Sequence, residues 1–420
     1  MTPTRWFDPR RAAVRLLAAA VLAAGAACSS GADDDGIDPD PAAAGEASGD
    51  DGGGGDDAGG ATYPGDEWAR GDAAALGFDV AELEAIAARA EQAGSNCMVV
   101  VRDGEIAAEW YWNGTDAGSA QEVFSVTKSH TSTLVGIAQA DGDLDVDDRA
   151  SEYIDAWVGT DSEDVTIENL LSNDSGREWS LALDYGQLPG QPDLAAFATG
   201  LGQDAAPGES WAYNNAAIQT LDVVLREATG QDTHELAAER LYEPIGMDDS
   251  ALTTDDAGNT RTFMGLQSTC EDLARFGHLF LHDGNWDGTQ VVPEQWVDAA
   301  VGAASQDIND AYGYLWWLNR PGTVLGARQA TSATAEPAEG DDTQLVPGAP
   351  EDMFFALGLG GQIVAVDPGS GTVVVRLGGV GTPPGSTPFT AAEAAAVVTD
   401  ALVDPAAPAA GATGPASGTG

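Results

Sequence analysis

The chain has 420 residues, of which 43% are hydrophobic and 11 are Trp, so it can bury a full-sized core. Its 68 acidic residues against 17 basic ones give a formal net charge of -51, and such a surface repels nucleic-acid phosphates and anionic lipids. We therefore expect no nucleic-acid partner. The sequence also lacks a Gly-Lys-Ser/Thr phosphate loop, an HExxH zinc motif and a Gly-x-Ser-x-Gly elbow, which excludes the enzyme classes built on them.

The first 28 residues predict an export signal. Four arginines precede an apolar run at residues 16–27, which is too short to span a bilayer and ends at Cys28. The small residues before Cys28 resemble a bacterial lipobox, which implies cleavage there and lipid attachment to the Cys28 thiol. Plain secretion is the alternative, because Gly25 stands where Leu or Val is usual. Either way the protein is exported, and we expect membrane contact only through this lipid.

Composition then divides the mature chain. Residues 29–64 are rich in Gly, Ala and Asp and cannot form a core, so they predict a disordered acidic tether. Residues 65–404 predict the catalytic body, and residues 405–420 a disordered Pro/Ala/Gly tail. Within the body, Ala327 to Pro350 has a similar composition and predicts a surface loop.

Three cysteines are an odd number for an exported chain. If Cys28 carries the lipid, Cys97 and Cys270 remain and are predicted to form a disulfide, which an oxidising compartment would preserve. Two buried free thiols are the alternative.

The predicted elements of the body begin with a β-hairpin, since two strand-like runs flank Asp103-Gly104. A helical pattern follows from Ser125 to Ala140 and breaks at Asp141-Gly142. Helical stretches then continue to about residue 304. The remaining predicted elements are strand-like runs at 311–319, 353–367 and 372–376 and a helix at 391–402.

This order predicts an α+β fold, because strands at both ends of the body enclose a helical middle. The antiparallel sheet and its flanking helices take about 65–140 and 305–404. The inserted, mainly α-helical part takes about 141–304.

Ser125-Val126-Thr127-Lys128 carries the predicted chemistry. Residues three apart on a helix share a face, so the Lys128 amine can reach the Ser125 hydroxyl and act as its base. Lys128 is the only lysine in the chain. Because every other residue counted as Lys or Arg is Arg, the single Lys indicates a need for an amine that can lose its proton, which Arg cannot do. The competing interpretation is a surface lysine beside a helix-capping serine.

A second motif, Tyr213-Asn214-Asn215, precedes an apolar helix. It can present a phenol and an amide to one cleft. Together the two motifs resemble those of the serine β-lactamase and D,D-peptidase superfamily, in its class C-like branch of esterases, amidases and 6-aminohexanoate-dimer hydrolases. The resemblance implies a β-lactamase/transpeptidase-like fold. It also implies that Ser125 attacks a carbonyl, that Lys128 and Tyr213 shuttle the proton, and that Asn215 orients the substrate.

The third family motif, a cation followed by Thr or Ser and Gly, resembles the strand-like run at residues 354–362. Here Leu359 or Gly358 occupies the cationic position, so the loss of that cation argues against β-lactam recognition. The resemblance further implies an oxyanion hole made by the N–H groups of Ser125 and of Gly361 or Gln362. Tyr185 resembles a loop tyrosine that contacts the substrate amide in the dimer hydrolases.

These observations predict a serine hydrolase that cleaves a small-molecule ester or linear amide without a metal or other cofactor. The first alternative is a D,D-peptidase or β-lactamase, which would need a cation such as Arg177 or Arg376 near Leu359. The second is a catalytically idle, penicillin-binding-like ligand sensor. The sequence does not determine the oligomeric state.

Overall fold

The computed structural model describes residues 62–332 and 343–403. The export signal with Cys28, the C-terminal tail and most of the predicted tether therefore lie outside the described residues. The last three residues of that tether are described, and the Tyr63 ring packs edge-on against His278 and Trp286. In the described part, no helix has both the length and the apolar character needed to cross a membrane.

The strands are β1 Ser95–Arg102, β2 Glu105–Tyr111, β3 Gln121–Glu122, β4 Ser210–Ala212, β5 Ala251–Leu252, β6 Leu266–Ser268, β7 Asn285–Trp286, β8 Thr289–Gln290, β9 Trp317–Leu318, β10 Ala330–Ser332, β11 Phe354–Gly358, β12 Gln362–Asp367 and β13 Thr372–Gly378. The α-helices are α1 Val80–Gln92, α2 Thr127–Asp141, α3 Ile167–Ser172, α4 Leu194–Thr199, α5 Asn215–Gln219, α6 Leu221–Thr229, α7 Thr233–Ala237, α8 Glu243–Ile245, α9 Cys270–Leu281, α10 Glu294–Val301 and α11 Ala391–Ala396.

Six strands form the main sheet in the order β2-β1-β13-β12-β11-β9, and every neighbouring pair is antiparallel. Strands from the two ends of the body are thus hydrogen-bonded to each other, with β1 beside β13. β13 is buried along its whole length and β1 along most of it, because Val residues fill both faces of these central strands. The sheet confirms the predicted α+β fold.

Helix α9 packs directly on this sheet, although it lies inside the range predicted for the helical part. A Cβ at Gly277 would approach a methyl group of Val373 to 2.5 Å, so glycine permits the close contact. A disulfide joins Cys97 on β1 to Cys270, the first residue of α9. The bridge therefore connects the central sheet with the helix that covers it.

The run at residues 311–319 does not form the continuous strand that its alternating aromatic residues indicate. Only β9 is a strand there, because Leu315 adopts a left-handed φ of 60° and Gly313 N–H donates to the Trp316 carbonyl in a tight turn. The turn brings the Tyr312 ring within 4.9 Å of the Trp317 ring, although strand alternation would place the two on opposite faces.

Candidate active site

Ser125 lies in a single turn of 3-10 helix, Phe124–Val126, that leads directly into α2. Phe124 has a left-handed φ of 50°, a conformation that costs a residue with a side chain on the order of 1 kcal/mol. Two hydrogen bonds hold it: Phe124 N–H donates to Glu122 over 2.9 Å, and the Thr127 hydroxyl donates to the Phe124 carbonyl over 2.6 Å. This turn brings the Ser125 hydroxyl to the wall of a cavity.

Lys128 is 1% exposed, and its ammonium nitrogen has two hydrogen-bond partners. Nζ donates to Ser125 Oγ over 2.8 Å and to the Phe263 carbonyl over 2.7 Å. Burial lowers the pKa of Lys128 to about 7, although the negative charge of Asp184 acts in the opposite direction. The structure thus brings Ser125 and Lys128 together as predicted, with an amine that can be neutral near physiological pH.

Tyr213 completes this group. Its side chain is 3% exposed, its ring lies 4.8 Å from Lys128 Nζ, and it stacks on Trp317 at a centroid distance of 5.6 Å. Burial raises the pKa of the Tyr213 phenol well above its ordinary value, so the phenol is protonated at neutral pH. Of the two candidate bases, Lys128 is therefore the one that can accept a proton.

Asn215 is buried and is not among the residues that line the cavity, and its role in orienting the substrate stays a prediction. Its Nδ2 donates to Asp184 over 2.7 Å, and the backbone N–H groups of Asn215 and Ala216 donate to the same carboxylate. Asp184 is fully buried, and burial raises its pKa while these donors and Lys128 lower it. Asn215 thus positions a carboxylate that acts on Lys128.

Sequence reasoning missed Asp184 as a functional residue. It lies on a short π-helical turn, Ala182–Gln187, for which the sequence has no periodic signal. The one sign that the sequence offers is its neighbour Tyr185, which resembles a substrate-contacting tyrosine. In the structure Tyr185 does line the cavity, and its hydroxyl donates to the Ala327 carbonyl over 2.9 Å.

The structure places the predicted second oxyanion donors, Gly361 and Gln362, in the turn after β11 and at the start of β12. Gly361 N–H donates to the Gly358 carbonyl in the turn between β11 and β12, and Gln362 is a fully buried residue of β12. Neither residue lines the cavity beside Ser125, where Leu357, Gly358 and Leu359 are found instead. The role of Gly361 or Gln362 as the donor stays a prediction, since glycine content alone does not identify the residues of a turn.

Backbone alternation identifies the groups of β11 that face outward. Asn319 N–H donates to the Met353 carbonyl, so Met353 and every second residue after it turn their peptide groups toward β9. β9 ends opposite Phe355. Beyond that point the same side of β11 is open to the cavity, which makes Leu357 and Leu359 the residues whose peptide groups face it.

The two arginines considered as substitute cations are engaged elsewhere. Arg177 is buried, donates to the Ala198 carbonyl and lies over the Trp157 ring. Arg376 is also buried and donates to the carbonyls of Gly360 and Gly361, which holds the turn after β11. Neither reaches the cavity, but Arg328, from the segment predicted to be a surface loop, does line it.

Residues 83–399, a range that includes all the groups above, match the sequence model of the family described as Beta-lactamase. The 6-aminohexanoate-dimer hydrolase of Paenarthrobacter ureafaciens is 25% identical over 300 residues, which cover 61% of this chain and 75% of that protein. A D-aminopeptidase of Brucella anthropi is 26% identical over 198 residues, which cover 43% of this chain and 37% of that protein.

The fold has counterparts among solved structures. A proposed 6-aminohexanoate-dimer hydrolase from Bacillus anthracis superposes with a TM-score of 0.58 at 20% sequence identity, covering 80% of this chain and 87% of that chain. A beta-lactamase from Mycobacterium bovis superposes with a TM-score of 0.53 at 18% identity, covering 76% of this chain and 98% of that chain. The likeness confirms the predicted architecture.

Proposed function

The chain belongs to the beta-lactamase family, a family of serine hydrolases, and from this premise we propose that it cleaves an ester or a linear amide through an acyl-enzyme on Ser125. One observation carries the proposal: Lys128 Nζ lies 2.8 Å from Ser125 Oγ, and burial brings the pKa of this amine to about 7. A nucleophile and a base that is partly neutral at physiological pH are therefore in direct contact.

The reaction follows from this geometry. Ser125 Oγ bonds to the substrate carbonyl carbon while neutral Lys128 takes the hydroxyl proton. The bond to the leaving alcohol or amine then breaks, and the leaving group takes a proton from Lys128, directly or through the protonated Tyr213 phenol. Water next attacks the acyl-enzyme, Lys128 accepts its proton, and the break of the ester bond returns a proton to Ser125 Oγ. No net proton is gained or lost by the protein.

The developing oxyanion needs two donors. We assign them to the N–H groups of Ser125 and Leu359, in place of the predicted Gly361 or Gln362, because the alternation of β11 turns Leu359 toward the cavity. Gly358 supports this arrangement, since a Cβ there would lie 2.3 Å from the Val123 carbonyl oxygen. β11 can approach the turn that carries Ser125 only with glycine at this position.

The relatives name candidate substrates. The match to a 6-aminohexanoate-dimer hydrolase over three quarters of that protein supports a linear amide, and the D-aminopeptidase match supports a peptide-like amide. For β-lactams, residues 354–362 contain no cation where the third family motif would have one. We therefore rank an ester or linear amide ahead of a β-lactam.

The test uses the purified full chain with p-nitrophenyl butyrate, a linear 6-aminohexanoate dimer and nitrocefin. We expect turnover of the ester or the dimer, and covalent labelling of Ser125 by a fluorophosphonate. Ser125→Ala and Lys128→Ala should lose both signals. Ser129→Ala is the matched control, since its hydroxyl lies one turn further along α2 and donates to the Leu315 carbonyl.

Two results would contradict the proposal. Turnover of nitrocefin alone would identify a β-lactamase. Absence of turnover and of labelling in a folded protein would identify a catalytically idle ligand sensor.

A further inference from the structure

The cavity beside Ser125 has an unusual charge for this chain. It encloses about 310 Å³, and its described lining is mostly aromatic or aliphatic, comprising Tyr185, Tyr213, Trp317, Ala327, Leu345, Leu357 and Leu359 beside Ser125, Gly358 and Arg328. Arg328 is the charged residue of that lining, and no carboxylate is part of it. Although the protein has a net charge of -51, this cavity wall contains a cation and no anion, so it favours an anionic ligand.

The backbone that carries Arg328 is anchored next to the catalytic group. β10 begins two residues later and pairs with β4, so that Ala330 lies opposite Ala212, the residue before Tyr213. On the other side of Arg328, the Ala327 carbonyl accepts the hydrogen bond from Tyr185. These two attachments hold Arg328 between Tyr185 and the strand that leads to Tyr213.

The charge of Arg328 is also felt inside the cavity. Burial raises the pKa of the Tyr185 phenol to about 12 and Asp184 adds to that rise, whereas the positive charge of Arg328 opposes both. Asp184 does not line the cavity, accepts hydrogen bonds from three N–H donors of Asn215 and Ala216, and acts electrostatically on Lys128. A substrate that enters the cavity thus meets the Arg328 charge without a competing anion in the described wall.

We propose that Arg328 binds a carboxylate of the substrate, so that the preferred esters or amides carry a carboxylate joined to the scissile carbonyl or to the leaving group by a hydrocarbon segment. This inference rests on the proposed function. A guanidinium presents parallel N–H donors that match the two oxygens of a carboxylate, and the apolar wall suits the hydrocarbon. A substrate with a cationic group in the same place would be repelled.

The position of this cation is distinct from that of the third family motif. That motif would place a cation within residues 354–362, which contain none, whereas Arg328 stands two residues before β10. The substrate carboxylate would accordingly lie near Tyr185 and Ala327.

The experiment compares matched six-carbon acyl groups on the full chain. The substrates are p-nitrophenyl hexanoate, mono-p-nitrophenyl adipate and p-nitrophenyl 6-(trimethylammonio)hexanoate, which are neutral, anionic and cationic. A second pair, 4-(hexanoyloxy)benzoate and its methyl ester, places the carboxylate on the leaving group. The measured quantity is kcat/KM for each substrate, corrected for hydrolysis without enzyme.

In one of the two series we expect the wild type to prefer the carboxylated substrate. In that series Arg328→Gln should lower kcat/KM for the carboxylated substrate about tenfold, while kcat/KM for the neutral ester changes less than twofold. Arg328→Glu should make the cationic ester better than the anionic one. Arg149→Gln is the matched control, because this exposed arginine pairs with Asp164 in the helical part and should leave every ratio unchanged.

The inference is overturned if neutral esters are turned over through Ser125 but Arg328→Gln leaves the anionic-to-neutral ratio unchanged in both series. That outcome leaves the proposed hydrolase intact. If the wild type turns over no ester or amide and Ser125 is not labelled, the proposed function fails and the inference fails with it. The fluorophosphonate label thus distinguishes the two failures.

Discussion

In the proposed mechanism, the protonation state of Lys128 controls the reactivity of Ser125. Only the neutral amine accepts the serine proton, and burial lowers its pKa to about 7, so the reactive fraction grows as pH rises toward and past that value. We expect log(kcat/KM) for a neutral ester to rise with a slope near one below pH 7 and to level off above it. A pH profile between 5 and 9 measures this directly. A profile that is flat below pH 7 would contradict a lysine base.

Lys128→Arg separates the base from the charge. Arginine retains the positive charge but cannot give up its proton in this range, so the variant should lose activity by roughly 10³-fold at pH 8. Retention of activity would show that Lys128 acts only as a fixed charge. Circular dichroism and thermal unfolding of the same sample would establish that the variant is folded.

Asp184 affects the pKa of Lys128. Its negative charge raises the pKa of Lys128 against the larger effect of burial, so Asp184→Asn should move the rise in the pH profile below that of the wild type. The variant should also lose about 1–3 kcal/mol of stability. Its amide nitrogen cannot accept the hydrogen bonds that Asn215 and Ala216 now donate to the Asp184 carboxylate. An unshifted profile would indicate that Asp184 is protonated near pH 7.

At the scale of single residues, the sequence predicts best what depends on local spacing. Ser125 and Lys128 are three residues apart on one chain segment, so their contact follows from helical geometry. Arg328 lines the cavity and Asp184 acts electrostatically on Lys128, and both come from segments without periodicity that only tertiary contacts bring to the site. The Arg328 segment was predicted to be a surface loop because its composition resembles that of the tail.

At the scale of elements, β11 packs at Gly358 against the backbone just before the turn that carries Ser125, with no space for a side chain. Gly358→Ala would place a Cβ 2.3 Å from the Val123 carbonyl oxygen, so the strand must move by about 1 Å. We expect kcat to fall about 100-fold, since a shift of that size misplaces the oxyanion donors.

Gly379→Ala tests whether the loss belongs to this contact. It lies just after β13, and a Cβ there would have nothing within 4 Å, so activity should stay within twofold of the wild type. Steady-state kinetics of both variants, with their thermal unfolding, make the comparison. Equal effects of the two substitutions would contradict a close approach at Gly358.

The elements of the sheet could be predicted, but their register could not. Alternating and Val-rich runs indicated the hairpin of β1 and β2 and the return of strands near the C-terminus. A shift of one residue reverses which peptide groups face a neighbouring strand, and no local signal in residues 354–362 fixes that choice. The identity of the oxyanion donor therefore stays a prediction, whereas the strands themselves are present in the structure.

At the scale of the whole molecule, the excess of acidic residues opposes folding. With a net charge of -51, most surface carboxylates have no cation nearby, and the ion pairs of the described residues use Arg70, Arg102, Arg149, Arg226 and Arg240. Salt shortens the Debye length from about 10 Å at 0.1 M to about 3 Å at 1 M, so repulsion between carboxylates is screened. Screening should therefore stabilise the folded state.

We expect the free energy of unfolding in urea to rise by about 1–2 kcal/mol between 0.1 and 1 M NaCl, with a matching increase in Tm of a few degrees. The charge-reduced variant Asp147→Asn tests the cause. The Asp147 side chain is exposed on the acidic loop after α2 and takes part in no hydrogen bond among the described residues, so its loss removes repulsion from neighbouring carboxylates. The variant should be more stable than the wild type at 0.1 M NaCl, and the difference should shrink at 1 M. A difference that is independent of salt would mean that Asp147 acts through local structure, and stability that falls with salt would mean that the ion pairs outweigh the repulsion.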